Sequence, residues 1–342
     1  MVKAVVVAEP GRIEIRELPM PRPGPHQVLC EQLYGSVCAA TDRHLVRGDL
    51  PLPNIAYPLI LGHESIGRVV ELGPGVSSFR VGDLVTRTGY PELPGIRAFW
   101  GGFAEYGLAT DARAMRDAGR PESEWRPHLV NQVLPGDVDP AAAPMMITWR
   151  ETYSYLTRLG VAAGASLLIL GSGGNGFSFA VLARLLGAGT IVMLGNTRWR
   201  DLARRAGVDL LVDYQAPDAA QQLAAATDGY DLIVDAVGKS GGLESVRALL
   251  KPEGRVGLYG IEDLGNRMAY LRQLTSEGVV VHGPGEYSEG EAHDAVVALL
   301  REQRLDAGIW FDLKAAVPMP AIAEALQSIE QRHSLKALVA VR

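Results

Sequence analysis

Two groups of residues have types and spacings that could do chemistry. Cys38, His63 and Glu64 offer a thiolate, an imidazole and a carboxylate, a donor set that suits a borderline-soft metal such as zinc. The second group, Gly171-Ser172-Gly173-Gly174-Asn175-Gly176, follows the apolar run LLIL and opens a helical pattern. In a loop of this kind the first glycine makes the tight turn and the second lets the backbone approach a pyrophosphate. The third lets the helix pack close, with its N-terminal N–H groups and dipole facing the phosphate charge. A strand before and a helix after the loop read as dinucleotide binding.

A site that prefers NAD(H) places an acid about 20 residues past the loop, where it grips the ribose hydroxyls. Gly195 stands there instead, and no acid occurs from Thr190 to Arg200. A carboxylate would repel a 2′-phosphate. A glycine flanked by the donors Asn196 and Thr197, with Arg198 or Arg200 supplying forked charge, would accept one. The expectation is NADP(H) over NAD(H).

The elements that must position these groups follow two rhythms. The first third alternates short β-rich runs with Pro/Gly turns, as an irregular all-β unit does. Residues 110–131 form a polar stretch, expected as a surface insertion with some helix. From about Pro140 strand and helix patterns alternate (SLLIL, FSFAVLARLL, TIVML, RDLARRAG, DLLVDY and onward), which predicts parallel βαβ units. After GVVVHG come a helix (EAHDAVVALLREQ), a strand-like IWFDLKAAV, a helix (AIAEALQSIEQ) and a terminal strand, KALVAVR.

Composition narrows the class. The chain has 342 residues, 47% hydrophobic and 21% charged, with a net charge of −6, so it is globular with no basic footprint for nucleic acid. Two cysteines and no signal-peptide pattern suit a reducing cytoplasm, and no apolar run reaches membrane-span length. Trp100, Phe103, Met146 and Trp149 read as core, whereas His26, His128, His282, His293, His333 and Lys336 read as surface residues.

Several motifs in order resemble the medium-chain dehydrogenase/reductase superfamily, the zinc-type alcohol dehydrogenases. They are Gly62-His63-Glu64 with Gly67, Gly73-x-Gly75-Val76, Val81-Gly82-Asp83-x-Val85, Gly101-Gly102-Phe103-Ala104-Glu105-Tyr106, the glycine loop and Gly254-Arg255-Val256. The resemblance implies an α/β protein: a GroES-like irregular β domain at 1–146, completed by 286–342, and a Rossmann doubly wound parallel-sheet domain at 147–285. It implies an active site in the cleft between the two, and a homodimer or homotetramer.

By position, the resemblance makes Cys38 and His63 zinc ligands and Glu64 a carboxylate able to bind or leave the metal. Thr41 becomes the hydroxyl that exchanges a proton with the substrate oxygen, Asp42 the acid behind the histidine ligand, and His44 the end of the proton relay. A hydroxyl and a histidine point to alcohol/carbonyl chemistry, because reduction of a C=C bond needs no relay to an alkoxide. Three features depart from the family pattern. Cys38 precedes Asp42 by four residues rather than the usual three, and Ile147 occupies the usual place of the third ligand. No cysteine follows Cys38, so the structural-zinc lobe has no counterpart. Glu151 or Glu64 could replace the missing ligand, or the metal could be absent. The expected activity is that of an NADP(H)-dependent alcohol dehydrogenase or carbonyl reductase, zinc-assisted, on a small-molecule alcohol or carbonyl. The alternatives are a zinc-free ketone or C=C reductase and a non-catalytic NADPH-binding protein.

Overall fold

The computed structural model describes residues 1–52, 54–263 and 279–342; residues 264–278, inside the expected dinucleotide domain, lie outside the described residues. The chain divides into two compact units, 1–150 with 289–342, and 151–288.

The first unit holds β1 (Val2–Glu9), β2 (Arg12–Leu18), β3 (Gln27–Val37), α1 (Thr41–Arg47), β4 (Leu59–Ile60), β5 (Ser65–Leu72) and β6 (Leu84–Thr86). β7 (Arg97–Ala98), β8 (Tyr106–Thr110), α2 (Ala112–Asp117), α3 (Glu122–Trp125) and β9 (Val133–Leu134) follow. One sheet runs β2-β1-β4-β7. It forms because the apolar run of β1 alternates against β2 in an antiparallel register, Val2 opposite Leu18 to Val7 opposite Ile13. The polar stretch after β8 is helical in part, as α2 and α3.

The second unit begins within α4 (Met145–Leu159). It continues through β10 (Ser166–Leu170), α5 (Gly174–Leu185), β11 (Thr190–Gly195), α6 (Arg200–Arg205), β12 (Leu210–Asp213) and α7 (Ala219–Ala225). β13 (Tyr230–Asp235), α8 (Gly242–Val246), β14 (Leu250–Leu258) and β15 (Val280–His282) complete it. Its strands pair in the order β12-β11-β10-β13-β14-β15, all parallel. This is the doubly wound order, which reverses between β10 and β13, so a ligand crevice is due at the C-terminal end of β10. Every residue of β10 is buried, as strands covered on both faces must be. Leu168, Val192, Val212, Ile233 and Val256 form the core of this sheet.

The chain then returns to the first unit as α9 (His293–Arg301), β16 (Val317–Pro318), α10 (Ile322–Glu330) and β17 (Ala337–Ala340). β17 lies between β16 and β3 in the larger sheet, β16-β17-β3-β5-β6-β9, with β8 also on β3. The strand expected over 309–317 is not formed. The Asp306 carboxylate accepts from Gly308 N–H and Asp312 from Lys314 N–H, which coils the chain, and Trp310 packs edge-on against Trp149 at 5.7 Å. Local side-chain-to-backbone bonds and tertiary packing override β-propensity here.

His293, expected at the surface, is buried. It stands against Arg150 (Nδ1 at 3.2 Å) and Val133 O (Nε2 at 3.1 Å). Burial, with the Arg150 charge, pushes its imidazole down to about 4. Arg150 and Arg87 both meet the Glu289 carboxylate. Phe103, Met146 and Trp149 are core residues, but Trp100 is 41% exposed and lies against the Arg87 guanidinium. No helix among the described residues is long and apolar enough to cross a membrane.

Candidate active site

In the first unit the site is assembled where β3 ends. Cys38 follows β3, and Asp42, wholly buried in α1, turns back so that its Oδ2 accepts from the Cys38 N–H at 2.8 Å. The other Asp42 oxygen lies 3.3 Å from His63 Nδ1. The four-residue spacing therefore does not carry Cys38 away: the donor atoms of Cys38, His63 and Glu64 all lie within 4.8 Å of one another, and all three residues are buried. Thr41 Oγ1 stands 3.8 Å from the Cys38 sulfur. Gly62 sets the approach of His63. It has φ +95, and a Cβ there would meet Phe103 N at 2.5 Å, so only glycine allows the backbones so close.

Glu64 is enclosed by donors. Lys336 Nζ reaches both of its oxygens, Ser36 Oγ donates to one and Thr148 Oγ1 to the other, the last at 2.9 Å. Lys336 is not at the surface, as expected from sequence, but only 2% exposed. It arrives there because β17 pairs with β3, Ala337 opposite Val37, which places the residue before β17 beside the end of β3. Burial would raise the Glu64 carboxyl, but the Lys336 ammonium, His63 and Ser36 hold it below the ordinary range. Burial would lower Lys336, and Glu64 and Cys38 together hold it above its usual value. Burial also works against the His63 imidazolium, yet Asp42 and Cys38 keep that ring well above its ordinary value.

His44 is buried, with Nδ1 2.8 Å from Asp49 Oδ1. Ile147 is buried in α4. Glu151 is outside the donor cluster: it belongs to the second unit, where its carboxylate accepts from Tyr259 OH at 3.0 Å.

In the second unit the glycine loop caps β10. Gly171 has φ +107, and its N–H donates to Leu194 O at 2.9 Å. A Cβ on Gly176 would lie 2.0 Å from Gly171 O, so α5 sits directly on the turn. At Gly173 a Cβ would meet nothing within 4 Å, which leaves open space over the residue where a pyrophosphate would approach. Gly174 and Asn175 form the first turn of α5.

At the end of β11, Ser172 Oγ accepts from Asn196 N–H at 2.8 Å, and a Cβ on Gly195 would come within 2.4 Å of Ser172 Cβ. The Asn196 side chain caps the next turn by accepting from Arg198 N–H at 3.0 Å, and Thr197 Oγ1 donates to Asp213 at 3.2 Å. Arg198 and Arg200 are exposed, with Arg198 5.7 Å from the Trp199 ring centre. The expected donors thus gather at one strand end, but Asn196 and Thr197 are also occupied locally. Sequence reasoning missed Lys336, Asp49 and Asp213. The signal for Asp213 was the terminal acid of DLLVDY, which parallel pairing sets opposite Gly195.

Residues 24–117 match the family model of the alcohol dehydrogenase GroES-like domain, and residues 176–301 that of the zinc-binding dehydrogenases. An alcohol dehydrogenase of Rhizobium meliloti (strain 1021) is 32% identical over 281 residues, 75% of this chain and 76% of the relative. A sorbitol dehydrogenase of Halalkalibacterium halodurans is 26% identical over 307 residues, 87% of each chain. Among solved structures, a benzyl alcohol dehydrogenase from Acinetobacter calcoaceticus superposes with a TM-score of 0.83 at 19% identity, covering 100% of this chain and 99% of the other. That likeness establishes the shared fold.

Proposed function

Because this chain belongs to the zinc-type alcohol dehydrogenases of the medium-chain dehydrogenase/reductase superfamily, we propose that it is a cytoplasmic, NADP(H)-dependent alcohol dehydrogenase or carbonyl reductase. The observation that carries the coenzyme reading is the end of β11, where Gly195 replaces the ribose-gripping acid and Arg198 and Arg200 stand exposed beside it.

A nicotinamide coenzyme held at the glycine loop would accept the hydride, with both electrons, from the substrate carbinol C–H in the oxidative direction. The hydroxyl proton leaves through Thr41 Oγ1 to His44, which lies on the same face of α1 one turn on. In reverse the carbonyl oxygen takes that proton back from Thr41. Zinc, when bound, supplies Lewis-acid stabilisation of the alkoxide oxygen. The residues present fit such an ion. Asp42 stands behind His63 as carboxylates stand behind metal-bound histidines, and Cys38, His63 and Glu64 would hold it, Glu64 in competition with Lys336. Two observations favour rival readings: Ile147 at the third-ligand position favours zinc-free reduction of a ketone, and the Asp213 carboxylate opposite Gly195 favours NAD(H).

One experiment tests these readings together: turnover and coenzyme binding across a panel of secondary alcohols and ketones, with metal analysis of the same protein. NADPH is expected to bind tighter than NADH. Arg198→Ala is expected to weaken NADPH selectively, by about 1.5–3 kcal/mol for a lost charged hydrogen bond. Tighter NADH overturns the coenzyme reading. Less than about one zinc in ten chains, with turnover undiminished by chelator, overturns the metal.

A further inference from the structure

Glu151 has no place in the donor cluster, but it is built into an arrangement of its own. Its half-buried carboxylate accepts from Tyr259 OH at 3.0 Å, across 108 residues of sequence. Tyr259 is the first residue after β14. Its N–H donates to Asp235 O, at the end of β13, at 3.0 Å, and the Gly260 N–H donates to the same oxygen at 2.9 Å. The loops after these two strands are locked together. A Cβ on Gly238 would lie 2.3 Å from Gly260 C, and one on Gly260 would lie 2.0 Å from Val237 C. The Tyr259 ring meets Phe179 edge-on at 4.9 Å and Tyr155 edge-on at 5.4 Å, and Tyr155 OH donates to His282 O at 2.8 Å. A carboxylate is thus held on a rigid aromatic mount at the carboxyl ends of β13 and β14.

The strand order says which part of a dinucleotide would come over that mount. Such a ligand crosses the sheet at the reversal between β10 and β13, with its phosphates on the glycine loop. Its adenosine half belongs at the end of β11, beside Gly195, so its nicotinamide half falls on the β13–β14 side. We propose that Glu151, oriented by Tyr259, is the charge partner of the oxidised nicotinamide ring and makes this site hold the oxidised coenzyme more tightly than the reduced one. This rests on the dinucleotide reading above. The ring is cationic only when oxidised, so a fixed carboxylate attracts that form and gains nothing from the neutral reduced ring. Asp235, the other acid at these strand ends, is turned to the N–H groups of Val237 and Gly238, at 3.0 and 2.8 Å. A difference in affinity between two states displaces their equilibrium by the same factor. Bound coenzyme is therefore drawn to its oxidised form and bound substrate to the alcohol, which sets the site for carbonyl reduction.

The test is fluorescence titration of wild type, Glu151→Gln and Tyr259→Phe with NADP+, NADPH and 2′-phospho-ADP-ribose, which lacks the ring. Glu151→Gln is expected to weaken NADP+ about tenfold and to leave NADPH and the ringless probe within about twofold. Tyr259→Phe weakens NADP+ by about threefold, because the carboxylate loses its orienting donor. Glu151→Gln keeps the shape of the side chain, and unchanged NADPH binding reports that the unit is folded. Equal weakening of both coenzyme forms, unchanged NADP+, or weakening of the ringless probe overturns the proposal. The same series with NAD+, NADH and ADP-ribose carries the test if the protein takes the unphosphorylated coenzyme. Wild type that binds no nicotinamide coenzyme overturns the dinucleotide reading and this proposal with it. Wild type that binds both redox forms, with a ratio that Glu151→Gln does not alter, overturns the role of Glu151 alone.

Discussion

Lys336 and Glu64 show how one pair can govern a site and the stability of the unit that holds it. Both side chains are nearly inaccessible, at 2% and 4%, so each charge depends on the other for the solvation it has lost. Lys336→Met is expected to strand Glu64 and cost about 3–5 kcal/mol of unfolding free energy, as breaking one side of a buried pair does. The pH dependence follows from the two directions. Glu64 is held low, so its contribution is present above its unfolded value and is lost as pH falls through the folded one. Lys336 is held high, so its contribution is present at neutral pH and is lost only as alkaline pH passes its folded value. Denaturation measured across pH should show both limbs in wild type and no alkaline limb from this pair in Lys336→Met. Cys38 and His63 could be picked out from the ordered motifs that carry the family resemblance, and the fold brings their donor atoms together with that of Glu64. Lys336 was not readable: it lies 272 residues from Glu64, and a lysine near a terminal strand carries no mark of burial.

Among the elements, the strand–loop–helix unit was the most legible, because its glycines are dictated by contacts within one short stretch. Gly176 is the clearest case, with the turn carbonyl of Gly171 2.0 Å from any added Cβ. Gly176→Ala must push α5 off β10, which is expected to cost about 1–3 kcal/mol and to weaken coenzyme binding at the same time. Chemical denaturation and a coenzyme titration on one sample check this; unaltered values in both would place the helix further from the turn. The parallel strands of the second unit were readable as uninterrupted apolar runs. The segment 309–317 was not, because Trp310 is buried by a partner in α4 that local sequence does not reveal.

For the molecule as a whole, both chain ends belong to the same unit, while the second unit is one continuous insertion, 151–288. The last strand is central to its sheet: β17 has β16 on one side and β3 on the other. Deleting residues 334–342 should therefore unravel the first unit, which loses a mid-sheet strand and Lys336 together. The inserted unit, with its own core, should still bind the nicotinamide coenzyme. Limited proteolysis with coenzyme binding is the check, and a truncated chain whose first unit resists protease as wild type does would refute it. The division into an irregular β part and a parallel α/β part was visible in the changing rhythm of the sequence. The pairing of a C-terminal strand with β3 was not, since register between distant strands is set by packing and leaves no local pattern.

The contact between Ser172 and Gly195 bears on how such a protein can change its diet of coenzyme. Placing an acid at the end of β11, where a ribose-gripping carboxylate would stand, would drive a new side chain into the serine of the glycine loop. A side chain at Gly195 therefore requires the loop at Ser172 to give way, so a change at the strand end is expected to be tolerated better with a smaller residue at 172.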